Sequence, residues 1–191
     1  MSRFWESRQA YWSYIRALVT PGWPPISLAT TTVQTGNVSK WADDDLDTLI
    51  EEGRRTQDRL LADIDSLRGR SQVAFTTGIA LLAVIVSQLH GVAGHSPQAV
   101  VTYSLGWFLA LYGAGGALAS FVVQLEVEVI SADVLSTYSP PVKAQLAQDY
   151  AEAVQTTIRT RDTLTTVLRE AMLWLSLGGA LDAATWVVTR G

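Results

Sequence analysis

Eighteen consecutive residues, Ser104 to Phe121, carry no charge, and four of them are glycines and four are alanines. The apolar run extends on both sides, from about Ala99 to Leu125. At roughly 1.5 Å of rise per residue a helix of that length exceeds the roughly 30 Å hydrocarbon core of a bilayer. In lipid every backbone N–H needs an internal acceptor, so a single stretch of this kind is expected to be a helix. Gly113, Ala117 and Phe121 fall on one face, as do Gly116 with Ser120, and Gly106 with Ala110 and Ala114. Small residues at this spacing let helix backbones approach closely. Two uses fit: packing against the chain's own other helices, or a homo-oligomer contact or pore-lining face. Tyr103, Trp107 and Tyr112 are expected to mark the outer part of this helix, because such rings favour interfaces.

Two further spans are expected. Val73 to Leu89 is apolar and short, and Gln72 and His90 lengthen it. Ala171 to Thr189 is apolar except for Asp182. Neither has a helix breaker on its N-terminal side. Each is therefore expected to continue a polar helix, 43–72 leading into 73–90 and 142–170 leading into 171–189. Asp43, Asp44, Asp45 and Asp47 start the first of these helices, where the positive end of the helix dipole favours acids. That placement accounts for the acidic cluster without a metal. Leu46, Ile50, Leu60, Ile64 and Leu67 recur at seam-like intervals, interrupted at Gly53 and Gln57. Pro140 and Pro141 precede the second polar helix, whose stripe includes Leu146, Val154 and Leu164. The two stripes are expected to pair as a coiled-coil-like stalk.

Residues 1–20 read as an amphipathic helix with Trp5 and Trp12 on its aromatic face, suited either to the membrane–water boundary or to packing on the stalk. Pro21, Pro24 and Pro25 end it, and 21–42 reads as an extended linker. Residues 91–98 form a tight loop, and 126–141 connect the second span to the second polar helix. Glu6, Arg8 and Arg16 interrupt any signal-peptide core, so none is expected here. The architecture is thus all-α: an integral membrane protein with three transmembrane helices (73–90, 99–125 and 171–189), helical extensions of the first and third, and an N-terminal amphipathic helix.

Basic residues set the orientation. Nine precede the first span, none lies between the first and second, and four (Lys143, Arg159, Arg161 and Arg169) lie between the second and third. The positive-inside rule places the N-terminus and both polar helices in the cytoplasm and the C-terminus outside. Twelve arginines against two lysines point to a GC-rich bacterial source and so to the cytoplasmic (inner) membrane.

Candidate functional residues are few. Asp182 is a carboxylate inside a span, which costs at least ~2.5 kcal/mol on insertion scales, and such residues usually face a bundle interior or water. It fits an ion or proton site or a charged ring in an oligomer, or a structural carboxyl hydrogen-bonded to Thr185 or a neighbouring span. Gln124 and Glu126, with Gln72, Thr76 and Thr77, form a second polar layer. Trp5, Trp12 and Trp107 are candidate interfacial anchors. His90 and His95 sit in a loop with no acid or cysteine nearby, so no metal site is expected. The chain has no cysteine, its net charge is −4, and it shows no nucleophile, phosphate-loop or metal motif. No catalytic residue, cofactor or nucleic-acid partner is expected. The expected function is a non-enzymatic, self-associating membrane protein, an oligomeric channel-like or membrane-perturbing effector. Its partners would be lipid, copies of itself and a cytosolic protein. The alternative is an accessory or scaffold subunit of a larger membrane complex.

Overall fold

A computed structural model of the chain describes residues 2–20, 23, 41–89, 96–123, 138 and 142–190. Among them the regular structure is four helices with no strand: α1 (Ser2–Val19), α2 (Asp43–Ser87), α3 (Pro97–Val122) and α4 (Val142–Arg190). Of these, α2, α3 and α4 are long and apolar enough to cross a membrane. Gln124, Glu126, His90, His95, most of the 21–42 linker and most of the 126–141 connection lie outside the described residues.

The boundaries follow local chemistry. At the start of α2, Asp45 and Leu46 donate their backbone N–H groups to the Ala42 carbonyl, and Asp43, Asp44 and Asp45 occupy the first turn. The α3 helix opens on Ser96, whose side chain accepts from the Ala99 N–H, with Pro97 in the first turn. It closes where Val123 turns extended and donates to the Ala119 carbonyl.

The chain divides into two compact units, and α2 and α4 contribute to both. One unit comprises Ser27–Ser66 and Gln124–Thr163. Here Leu46 packs with Ala144 and Ala147, and Leu49 and Ile50 close over them. A Cβ built on Gly53 would stand 3.0 Å from the Tyr150 Cβ. Further along, Arg161 lies 3.9 Å from Asp63. Partner numbers rise together, so the two helices run parallel. Leu60 and Ile64 are buried, Ile50 is half-buried, and so are Leu146 and Val154. The α4 stripe that is fully buried is made of small residues, Ala144, Ala147, Ala153, Thr157 and Thr160. The Thr157 hydroxyl is satisfied within its own helix by the Ala153 carbonyl. Gly53 is therefore a notch that receives Tyr150, where the sequence pattern reads it as a break in the seam.

The other unit comprises Met1–Ile26, Leu67–Val123 and Leu164–Gly191. It is a three-helix bundle with α1 packed against α3. The middle helix is α3: 44% of its most apolar window is buried, against 22% in α2 and in α4. Its buried residues Ala99, Tyr103, Gly106, Ala110, Gly113, Ala117 and Ser120 step by four and three in turn. This is a seven-residue period, the geometry of left-handed packing. The backbones come very close. A Cβ on Gly113 would stand 2.8 Å from the Ala171 carbonyl oxygen and from the Leu175 nitrogen. One on Gly178 would stand 2.7 Å from the Ala110 nitrogen and 2.8 Å from the Gly106 oxygen. On the other side, Ile85 packs with Tyr103 and Ala110 beside Leu81 and Leu82. These pairings make α3 antiparallel to both neighbours. Leu67 is half-buried in this unit, and Leu164 is fully buried.

The glycine contacts yield a direct test. Gly113→Ala puts a methyl group against backbone atoms that cannot swing away, and is expected to lower stability by about 1–3 kcal/mol. Gly69→Ala meets nothing within 4 Å and is expected to raise it by up to about 1 kcal/mol. Thermal unfolding followed by far-UV circular dichroism in detergent checks both. Equal effects would mean that the two glycines share one kind of surroundings.

Candidate functional site

At one end of the three-helix unit, Asp182 lies one helical turn beyond Gly178 on α4. The close approach of α3 brings Gly106 beside it: a Cβ there would be 3.2 Å from the Gly178 oxygen and 3.4 Å from the Asp182 nitrogen. Asp182 is only 5% exposed. The α2 helix ends at this level, and Gln88, just past its last turn, donates from Nε2 to Asp182 Oδ2 at 3.3 Å. That is a long hydrogen bond. Asp182 Oδ1 is buried and has no hydrogen-bond partner. The two hydroxyls nearby on the same bundle are committed elsewhere. Tyr103 donates to the Ile85 carbonyl at 2.7 Å, and Thr185 donates to the Leu181 carbonyl at 2.9 Å.

A second cluster sits at the other end of α3, where α1 docks. The Tyr11 hydroxyl donates to the Tyr112 carbonyl at 2.8 Å, and the Tyr11 ring fills the space that a side chain on Gly116 would need. Tyr112 meets Tyr11 edge-on at 5.1 Å, Trp12 at 6.1 Å and Trp174 of α4 at 5.7 Å. The Arg8 guanidinium stands 5.4 Å above the Trp174 ring. Tyr112, expected to mark the outer part of its helix together with Tyr103 and Trp107, thus belongs to the α1 end, while Tyr103 belongs to the Asp182 end. The buried face of α1 is Ala10, Tyr11, Ser13 and Tyr14. Trp5 and Trp12 lie at 67% and 57% exposure, and Trp107 on α3 at 37%. Tyr11 and Tyr14 carry the packing side of α1, with the small residues Ala10 and Ser13 beside them.

Burial pushes the Tyr11 and Tyr14 phenols well above their ordinary range, and nearby Arg68 works against burial at Tyr14. Arg68 Nε is itself buried without a hydrogen-bond partner.

The remaining sequence candidates fall into place singly. Gly106, Gly113, Gly116, Ala117 and Ser120 are all buried inside the chain, and the Ser120 hydroxyl donates to the Ala117 carbonyl. Gln72, Thr76 and Thr77 are exposed on α2. In the parallel two-helix unit, the acidic start of α2 meets a cation: Lys143 Nζ lies 2.8 Å from Asp47 and 4.0 Å from Asp43. The Asp47 hydrogen bond raises the Lys143 pKa. Tyr138 donates its hydroxyl to Asp149, which pushes its phenol up to about 12. Among the described residues no three His, Cys, Asp or Glu side chains converge as metal ligands. No protein-family model, no curated protein and no solved structure matches this chain.

Two measurements follow from these contacts. Tyr11→Ala empties the notch at Gly116 and is expected to cost about 3–5 kcal/mol, as for other large-to-small aromatic changes. Tyr11→Phe removes only the bond to the Tyr112 carbonyl, at about 0.5–1.5 kcal/mol. Thermal unfolding together with proteolysis within α1 separates the two. The Tyr138 proton is held more tightly in the folded chain than at the ordinary value of about 10. Its contribution is therefore full below about pH 10 and is lost as pH rises towards about 12. Tyr138→Phe is expected to reduce the fall in melting temperature over that window, leaving the slope due to Lys143 and to the buried phenols of Tyr11 and Tyr14. An unchanged slope would show that the phenol carries none of it.

Proposed function

We propose that the chain is a non-enzymatic, self-associating protein of a bacterial cytoplasmic membrane, an oligomeric channel-like or membrane-perturbing effector. In this reading α2, α3 and α4 cross the bilayer through their apolar segments. The parallel pair of polar helices is a cytosolic stalk for sensing and assembly, and the C-terminus lies outside, following the arginine distribution. Trp5 and Trp12 on α1, with Tyr112 and Trp174, form an aromatic belt at the inner interface.

One observation carries the self-association. The bundle leaves small and polar residues on its outside as well as in its core. Gln72, Thr76, Ala80, Ala83 and Ser87 line one exposed face of α2, and Ser176, Ala180 and Ala184 line an exposed face of α4. A face turned only to lipid has no use for such residues, whereas helix–helix contacts in a membrane are built from them. The glycine-rich side of α3 is occupied by the chain's own helices, so contact between copies falls to these outer faces. Three helices packed around small residues enclose no pore, and conduction would require several copies side by side.

Mass determination in mild detergent tests the reading. The wild type is expected as a closed oligomer, and Ala80→Leu combined with Ala184→Leu as a smaller species, since both substitutions bulk out exposed faces without touching the core. Liposomes carrying the wild type are expected to leak small ions faster than empty ones, with the double variant in between. A monomeric wild type would favour the accessory or scaffold subunit, and traces identical to empty liposomes would remove conduction.

A further inference from the structure

Asp182 is the sole Asp, Glu, Lys or Arg in 73–87, 97–122 and 171–189. An ionised carboxylate offers about four acceptor positions. Here one is met, by the long bond from Gln88, and Oδ1 is buried with none. Among the described residues no side-chain cation stands in any of the three apolar segments to balance a negative charge. Of the groups facing Asp182, α2 contributes the neutral amide of Gln88 and α3 the phenol of Tyr103, whose hydroxyl is committed to the Ile85 carbonyl. On α4 itself the neighbour is Thr185, bonded to its own helix. Arg8 and Glu170 belong to the α1 end of the bundle. An isolated charge placed among apolar groups costs so much that such a group neutralises instead. A divalent metal would require about six oxygen ligands. Among the described residues no three His, Cys, Asp or Glu side chains converge there to supply them.

We propose that Oδ1 of Asp182 is a proton-binding site, a carboxyl that takes up and releases one proton at the end of the bundle where Gln88 stands. The bond formed is Oδ1–H. The proton comes from water and returns to it, and no other group is oxidised, reduced or transferred. The bonded partner Gln88 tunes the site, because its amide donates to the oxygen that carries charge when the proton leaves. This inference concerns one chain and stands whether or not copies associate.

Infrared difference spectroscopy of the full chain in phosphatidylcholine vesicles tests it. The wild type is expected to show the carbonyl stretch of an un-ionised carboxylic acid, shifted in deuterium oxide and missing from Asp182→Asn. The band should fade as pH rises and should be indifferent to replacing choline chloride with sodium chloride. Gln88→Leu removes the donor that favours the ionised form, and is expected to tighten proton binding about tenfold, so that the band persists to higher pH. This second variant keeps the test decisive if Asp182→Asn fails to fold. Absence of the band at every pH at which the chain is folded would overturn the proposal. So would displacement of the band by sodium, which would make the site one for an alkali ion, or a titration unmoved by Gln88→Leu.

Discussion

The close contact between the backbones of α3 and α4 is the constraint that the three-helix unit depends on. Gly106 and Gly113 on one helix, and Gly178 on the other, remove the side chains that would hold the axes apart. Among the described glycines, those where a Cβ would meet backbone atoms below 3.0 Å are Gly113 and Gly178, and they leave no choice of residue. Glycine inside a helix costs about 1 kcal/mol relative to alanine, and nothing local recovers that. The recovery comes from dispersion, because two backbones at this distance bring many atom pairs within range at once. The seven-residue period of the buried α3 side follows, since it keeps a narrow seam facing its neighbours along the whole helix. A seam of small residues also explains why the middle helix can be buried on more than one side.

The same device recurs with an aromatic ring in place of a backbone. Tyr11 of α1 occupies the notch at Gly116, and Tyr150 occupies the one at Gly53. In each case a glycine lets a large flat side chain lie against a helix, and the ring gives the contact its position. Tyr11 adds a hydrogen bond to a backbone carbonyl of α3, which fixes α1 along that helix more narrowly than apolar contact does. Trp5 and Trp12 on the same helix remain largely exposed, with the Trp12 ring 6.1 Å from that of Tyr112. The division of labour on this short helix is therefore tyrosine inward and tryptophan outward.

Element positions were legible because they rest on local chemistry. The aspartates at the start of α2 and the unbroken passage of α2 and α4 from polar to apolar sequence are visible in the chain, whereas α3 starts at Pro97, inside the stretch read as a loop. Asp182 is visible too, because a charge in an apolar run has no local reason to be there. What could not be read was which small residues meet which. Four-residue spacings such as Gly113–Ala117 and seven-residue spacings such as Gly106–Gly113 coexist in α3, and only the partner decides which is used. The α4 stripe shows the same limit. Of the large residues on its stripe Leu164 is buried, but Leu146 and Val154 are only half-buried, and the small residues Ala144, Ala147, Ala153 and Thr157 carry the buried line there. Tyr103 and Tyr112, read together as marking one part of the helix, pack at opposite ends of the bundle, because aromatic rings mark an interface without saying which end of a helix it lies at.

The constraint and the charged residue are parts of one arrangement. A Cβ on Gly106 would stand 3.4 Å from the Asp182 nitrogen, so the close approach of α3 that the glycines permit is also what buries the carboxyl. The helical carbonyls on either side hold their own N–H groups, and among the described side chains Gln88 is the one that donates to Asp182. The chemistry of that end of the bundle is consequently set by packing as much as by the aspartate itself.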